Sequence, residues 1–148
     1  MYSMQEGTFK PLSEYKGLPK PAKSDELLYF SDHVWTEDDY LIGCTKQGDL
    51  FAIETFDVFQ TMPFDSKASY CRLIAFSLGF CAATDDGMLH FYKFSPEKKK
   101  FEFVRKWSCI DIKNYKIVSM SIHEVSKEEL YLAIATKNNN ILYLNLIK

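Results

Sequence analysis

The residues of this 148-residue chain best equipped for chemistry are three histidines, four cysteines and two adjacent aspartate pairs. A metal site of the zinc type needs such ligands at short helical or hairpin spacings. His33, His90 and His123 lie far apart, and no two have that spacing. His90 alternates with Leu89 and Phe91 and reads as a hydrogen-bonded structural residue. Cys44, Cys71, Cys81 and Cys109 contain no C-x-x-C pair. Cys44 and Cys81 sit inside apolar runs, as small buried residues do, which fits a reducing, intracellular setting. Asp38–Asp39 and Asp85–Asp86 could pair carboxylates for acid–base work, but both fall where turns are expected, and Asp favours turns. There is no G-x-S-x-G nucleophile motif and no G-x-x-x-x-G-K phosphate loop. The expectation is no catalytic residue, no metal and no cofactor.

Two further groups point at partners. Lys98–Lys99–Lys100 could meet an acidic protein surface, but a solvated loop tip is the simpler reading. Phe91, Phe101, Phe103 and Trp107 have the types that stack on bases, yet no basic groove accompanies them, and they are expected to pack in the core. The net charge of −2 gives no electrostatic footprint for nucleic acid or an anionic membrane. A hydrophobic share of 47% with 26% charged residues is the mixture of one globular domain and excludes a disordered tail. Met1 to Lys10 has no basic region followed by an apolar stretch, so no secretory signal is expected. The most apolar window, Leu73 to Ala83, is too short to span a bilayer.

The elements that must position these residues are written in an internal repeat. Leu41 to Glu54, Phe80 to Lys93 and Leu132 to Asn145 align without gaps. Each reads as a small-residue apolar strand ending in Thr (Thr45, Thr84, Thr136), a polar turn, and a second apolar strand. Gly48, Gly87 and Asn139 fill the turn position that favours positive φ, which Gly adopts without steric cost and Asn tolerates. The Thr hydroxyl can bond the turn backbone. Small side chains on both faces of the first strand imply close approach by sheets on both sides. Strand-like runs precede each hairpin at Leu28–Trp35, Tyr70–Phe76 and Lys116–Ile122, and follow the first two at Phe56–Met62 and Phe101–Trp107. The unit is therefore four short antiparallel strands in roughly 40–45 residues, the signature of a propeller blade.

The pattern resembles the WD40-repeat family. Trp35–Thr36–Glu37–Asp38–Asp39 is similar to the family's element before the small-residue strand, and Phe76–Ser77 is a shorter version. Asp86–Gly87 matches the turn; Gln47–Gly48 and Asn138–Asn139 match in part. The Trp-Asp position holds Ile53–Glu54, Tyr92–Lys93 and Leu144–Asn145, and His33 stands near the Gly-His position without its Gly, so the repeats are degenerate. The resemblance covers about residues 28–148. Within the family, Phe9–Lys10–Pro11–Leu12 and Ser31–Asp32–His33–Val34–Trp35 are similar to large WD-repeat proteins of the ciliary axoneme, which act as structural tethers near dynein motors and the doublet microtubules. That resemblance implies a cytoplasmic or cytoskeletal location in the axoneme and axonemal protein partners.

The fold expected is all-β: a partial WD40-type β-propeller of about three four-stranded antiparallel blades at 25–65, 66–112 and 113–148. An N-terminal strand within Gly7–Tyr15 and a Pro-containing connector make up 1–24. The alternative is a closed up-and-down β-barrel carrying a small ligand. Three blades are fewer than the usual 4–8. The units begin and end at the same strand phase, as in a segment of a larger propeller completed by other blades. The function expected is a non-enzymatic protein-interaction scaffold. Its partners are other protein chains that complete the ring or dock on one face, through the turn residues Lys46, Gln47, Asp85, Asp86, Lys137, Asn138 and Asn139.

Overall fold

Each aligned hairpin folds as the middle of a separate meander. A computed structural model describes residues 2–5, 8–11, 30–54, 57–62, 69–108, 116–138 and 140–147. The first sheet is β3 (Phe30–Trp35), β4 (Leu41–Thr45), β5 (Leu50–Glu54) and β6 (Asp57–Met62). The second is β7 (Tyr70–Phe76), β8 (Gly79–Thr84), β9 (Met88–Ser95) and β10 (Lys100–Ser108). The third is β11 (Ile117–Glu124), β12 (Glu129–Thr136) and β13 (Ile141–Ile147). Strand order in every sheet is sequence order, and all pairs are antiparallel. Three distinct sheets exclude the closed-barrel alternative, which needs one continuous ladder.

The sheets repeat in register as well as in sequence. Cys44 lies opposite Leu50, Ala83 opposite Leu89, and Ala135 opposite Ile141. The first strand of each sheet breaks register at one equivalent place: Phe30/Asp32, Tyr70/Arg72 and Ile117/Ser119. The fourth strands do so too, between the partners of Ala52/Ile53 on β6 and at Phe103/Arg105 on β10. Bulges increase local twist, and equivalent bulges in successive sheets keep their stacking geometry equivalent.

First strands lie side by side, β3 against β7 and β7 against β11. Polar side chains tie them. Asp32 Oδ2 accepts the Leu73 N–H at 2.9 Å, and Arg72 Nε donates to the Val118 carbonyl at 2.7 Å. Ser77, after β7, donates its N–H and hydroxyl to the two Glu124 carboxylate oxygens on β11 at 3.0 and 2.7 Å. At the far side, the Gln60 amide on β6 clamps the backbone of Phe101 on β10, donating at 2.8 Å and accepting at 2.7 Å.

Two apolar layers fill the gaps between sheets. Ile42, Cys44, Leu50 and Ala52 meet Tyr70, Leu73, Phe80 and Tyr92 in the first; Cys81, Ala83, Leu89 and Phe91 meet Ile117, Leu132, Ile134 and Leu146 in the second. Each fully buried Leu, Ile or Phe adds about 1.5–3 kcal/mol. Small residues on β4 and β8 let both faces pack: β8 is buried at every position.

The third sheet has three strands among the described residues, as a segment that stops after the third strand of its last blade should. Two expectations need correction. The N-terminal strand is β2 (Thr8–Pro11), and it pairs with β1 (Tyr2–Gln5) in a two-stranded sheet of its own. Residues 12–15 lie outside the described residues, as does the connector. Finally, Phe91 and Phe101 are buried but Phe103 is 53% and Trp107 38% exposed. The reason lies in the neighbouring sheet, described below.

Candidate functional site

The three hairpin turns share one end of the stack, because each connects the second and third strands of its sheet. Two are fastened to the start of a first strand: the Asp85 N–H donates to the Ser69 carbonyl at 2.9 Å and the Lys137 N–H to the Lys116 carbonyl at 2.9 Å. Within the turns the Thr hydroxyls do structural work. Thr45 Oγ1 accepts from the Asp49 N–H at 3.1 Å, Thr84 Oγ1 accepts from the Met88 N–H at 3.0 Å, and Thr136 Oγ1 donates to the Asn140 carbonyl at 3.3 Å. Gly48 and Gly87 have φ of 95° and 83°, the left-handed region open to Gly.

Of the turn residues expected to meet partners, Lys46, Gln47, Asp85, Asp86, Lys137 and Asn138 are exposed, and Asn139 lies outside the described residues. The two aspartates already have internal duties. Asp85 accepts the Ser69 N–H at 3.2 Å and its hydroxyl at 2.7 Å, and Asp86 accepts from Thr84 Oγ1. Asp38–Asp39 is likewise a turn, with Asp39 at φ 63°. Lys98 and Lys100 fold back on Glu102 at 2.8 and 3.7 Å.

The chemically capable side chains lie in settings that quiet them. His90 is buried, 3.2 Å from the Tyr70 hydroxyl through Nδ1. Burial first, then the Lys106 charge, lowers its pKa to about 4, against an opposing effect of Asp86. Burial pushes the Cys44 thiol up to about 12 and the Cys71 thiol to about 11, so both stay protonated at neutral pH. Cys109 lies outside the described residues. His33 and His123 are exposed on different sheets, and no metal-competent cluster occurs among the described residues.

The feature that sequence reading missed is a sheet face. In the first two sheets, the face turned toward the next sheet is covered by it. The aligned positions Leu50, Leu89 and Ile141 are 0%, 0% and 74% exposed. Ala52, Phe91 and Tyr143 are 0%, 4% and 65% exposed. Cys44 and Ala83 are fully buried, whereas Ala135 is half-buried. The third sheet therefore presents Ala133 and Ala135 at its centre, flanked by Ile141 and Tyr143, as a stacking face without a covering sheet among the described residues. The repeat alignment held the signal, since it equates these positions; which of the three would lack a cover was not written in it.

Beside this face, no fourth strand lies next to β13 among the described residues. A cleft of about 330 Å³ lies there between Arg105, Lys106, Trp107, Leu144, Asn145 and Leu146. The exposure of Trp107 follows: nothing described lies against its end of β10.

Among solved structures, the chain is similar to the β-propeller domain of Cps50 (Swd1) from Myceliophteria thermophila. The TM-score is 0.54 at 12% identity, over 80% of this chain and 41% of that one. The fold is a partial WD40-type β-propeller. Its blades are the three sheets, and the chain spans less than half of the propeller chain it matches. No protein-family model matches the sequence, and no curated protein matches it. At 12% identity the likeness concerns architecture alone, and a fold by itself does not fix a function.

Proposed function

We propose that this chain is a non-enzymatic protein-interaction scaffold that works as part of a larger propeller assembly. The observation that carries this reading is the open face of the third blade. The aligned residues that are buried between the first and second blades, and between the second and third, stand exposed there as Ile141 and Tyr143. Exposed apolar faces with a buried twin elsewhere in the same repeat are built for a protein cover. The cover is a further propeller blade, from another protein chain or from more of this one, and the turns carrying Lys46, Gln47, Asp85, Asp86, Lys137, Asn138 and Asn139 form a second contact surface on one end of the stack. The finer assignment, a cytoskeletal role in the ciliary axoneme near dynein or microtubules, is supported by the N-terminal sequence resemblance alone.

Tagged full chain in a ciliated cell tests both levels. Native-size chromatography of the extract should show the chain in a complex, and Tyr143→Asp should release it as monomer with an unchanged melting temperature. A monomeric wild-type chain refutes the scaffold reading. Fluorescence confined to the cell body refutes the axonemal assignment and leaves the scaffold standing.

A further inference from the structure

One motif plays no part in the scaffold reading. Ser95–Pro96–Glu97–Lys98 contains the chain's only Ser or Thr followed by Pro. It lies at the opposite end of β9 from the Asp85–Asp86 turn. Ser95 is the last residue of β9 and pairs with Lys100, the first of β10. Ser95 is half-buried, and every residue from Pro96 to Lys100 is exposed. Pro96 opens the turn with its φ fixed by the ring. Lys99 closes it at φ 47°, its N–H donating to the Pro96 carbonyl at 3.4 Å. Pro96 also confines Ser95 to extended backbone, the form in which a protein cleft receives a peptide. One pair inward, Phe94 lies opposite Phe101 with ring centroids 5.1 Å apart, and Tyr40 packs on both at 4.9 and 5.6 Å. This aromatic cluster anchors the ladder, so the Ser95–Lys100 pair can open while the blade stays folded.

The motif presents a hydroxyl, then a residue without an N–H, then a cation three residues after the hydroxyl. A kinase whose cleft offers no acceptor to the residue after the serine selects proline there, and acidic groups farther along select the lysine. The fold also supplies a place for the product. Lys93 and Ser95 share one face of β9, while Lys100 stands opposite Ser95 and Glu102 opposite Lys93. Lys98 and Lys100 now turn to Glu102, at 2.8 and 3.7 Å. Exposed ion pairs of this kind are weak and exchange partners easily. A phosphate with a charge of about −1.5 to −2 and three acceptor oxygens draws both lysines more strongly than one carboxylate.

We propose that Ser95 is a phosphorylation site for a proline-directed protein kinase, and that the folded blade holds the phosphate on Lys98 and Lys100. In the transfer, Ser95 Oγ bonds to the γ-phosphorus of ATP as the bond to the ADP oxygen breaks, and the hydroxyl proton passes to the kinase's catalytic carboxylate. Lys93, Lys98, Lys99 and Lys100 surround this turn with only Glu97 and Glu102 against them. The phosphate cancels that surplus, so the modification converts a basic turn into a neutral one.

The test incubates the folded full chain with ATP, magnesium and a cyclin-dependent kinase, and locates phosphate by mass spectrometry of its peptides. Phosphate should appear on Ser95, and the Ser95→Ala chain should lose that signal. Pro96→Ala puts back an N–H that the kinase leaves unpaired, and should slow the transfer about tenfold or more. No phosphate on Ser95, phosphate there only after the chain is heat-unfolded, or an equal rate for Pro96→Ala would overturn the site. Phosphorus NMR of the modified chain reads the lysine contacts. The second pKa of the phosphate should lie below the ordinary value of about 6, and Lys100→Ala should raise it. A titration that Lys100→Ala leaves unchanged would overturn the holding of the phosphate by the blade.

Discussion

Replacing Gly79 with alanine should damage this protein far more than replacing Gly43, although both glycines lie in the small-residue strands of the repeat. An alanine Cβ at Gly79 would stand 2.0 Å from the Tyr92 carbonyl oxygen and 2.9 Å from the Lys93 Cα. Carbon and oxygen ordinarily keep about 3.3 Å, so β8 and β9 must part by roughly 1.3 Å. Both obstacles are backbone, and neither can rotate away. The Gly79↔Lys93 and Phe80↔Tyr92 pairs would open. The neighbouring Phe94 N–H bond to the Leu78 carbonyl, now 2.9 Å, and the Phe80–Tyr92 ring stack, now 4.9 Å between centroids, would go with them. Two backbone bonds at about 1 kcal/mol each and a ring pair at about 0.5–1.5 kcal/mol sum to about 3 kcal/mol. For a chain of this size that lowers the melting temperature by roughly 6–12 °C. At Gly43 the Cβ meets only the Phe30 ring, at 3.1 Å, and that half-exposed side chain can turn aside. The cost there should stay below about 1 kcal/mol. Thermal and urea unfolding of the two variants, followed by circular dichroism, decides the matter. Equal shifts for Gly43→Ala and Gly79→Ala would refute the argument from backbone contact.

Acid should weaken the second blade through His90. Its folded pKa of about 4 lies below the ordinary histidine value of 6.5, so the unfolded chain binds the extra proton first. Stability from this group is complete above pH 6.5 and declines as pH falls toward 4, by about 2 kcal/mol at pH 5. His90→Asn should flatten the slope of stability between pH 6.5 and 5, and an unchanged slope would show that other groups set it. Gln60→Ala should cost about 1–3 kcal/mol, because it leaves the Phe101 N–H and carbonyl unsatisfied between two fourth strands; a melting temperature within 1 °C of wild type, roughly the error on such a difference, would deny the clamp. Thr84→Val, which keeps shape but removes the acceptor of the Met88 N–H at a fully buried site, should cost about 1–3 kcal/mol by urea titration. A neutral result would mean that the turn holds without its hydroxyl.

The sequence by itself determined what is local. Short apolar runs with small residues on both faces, Thr before each turn and Gly48 or Gly87 within two of the turns set the hairpins, because strand propensity and positive φ are properties of neighbouring residues. Three aligned copies set the blade, since a repeated unit must bury the same face each time. The burial of Cys44, Cys81 and His90 followed from the apolar runs that hold them. The bulges at Ser31, Cys71 and Val118 were not legible: no residue type demands them, and they appear only when strands pair. Nor was the clamp of Gln60 on Phe101, which joins positions 41 residues apart. Above all, Phe103 and Trp107 look in sequence like Phe91 and Phe101. Whether an aromatic on a strand is core or surface depends on what packs against that strand, and only the tertiary structure shows that no strand among the described residues lies beside β13.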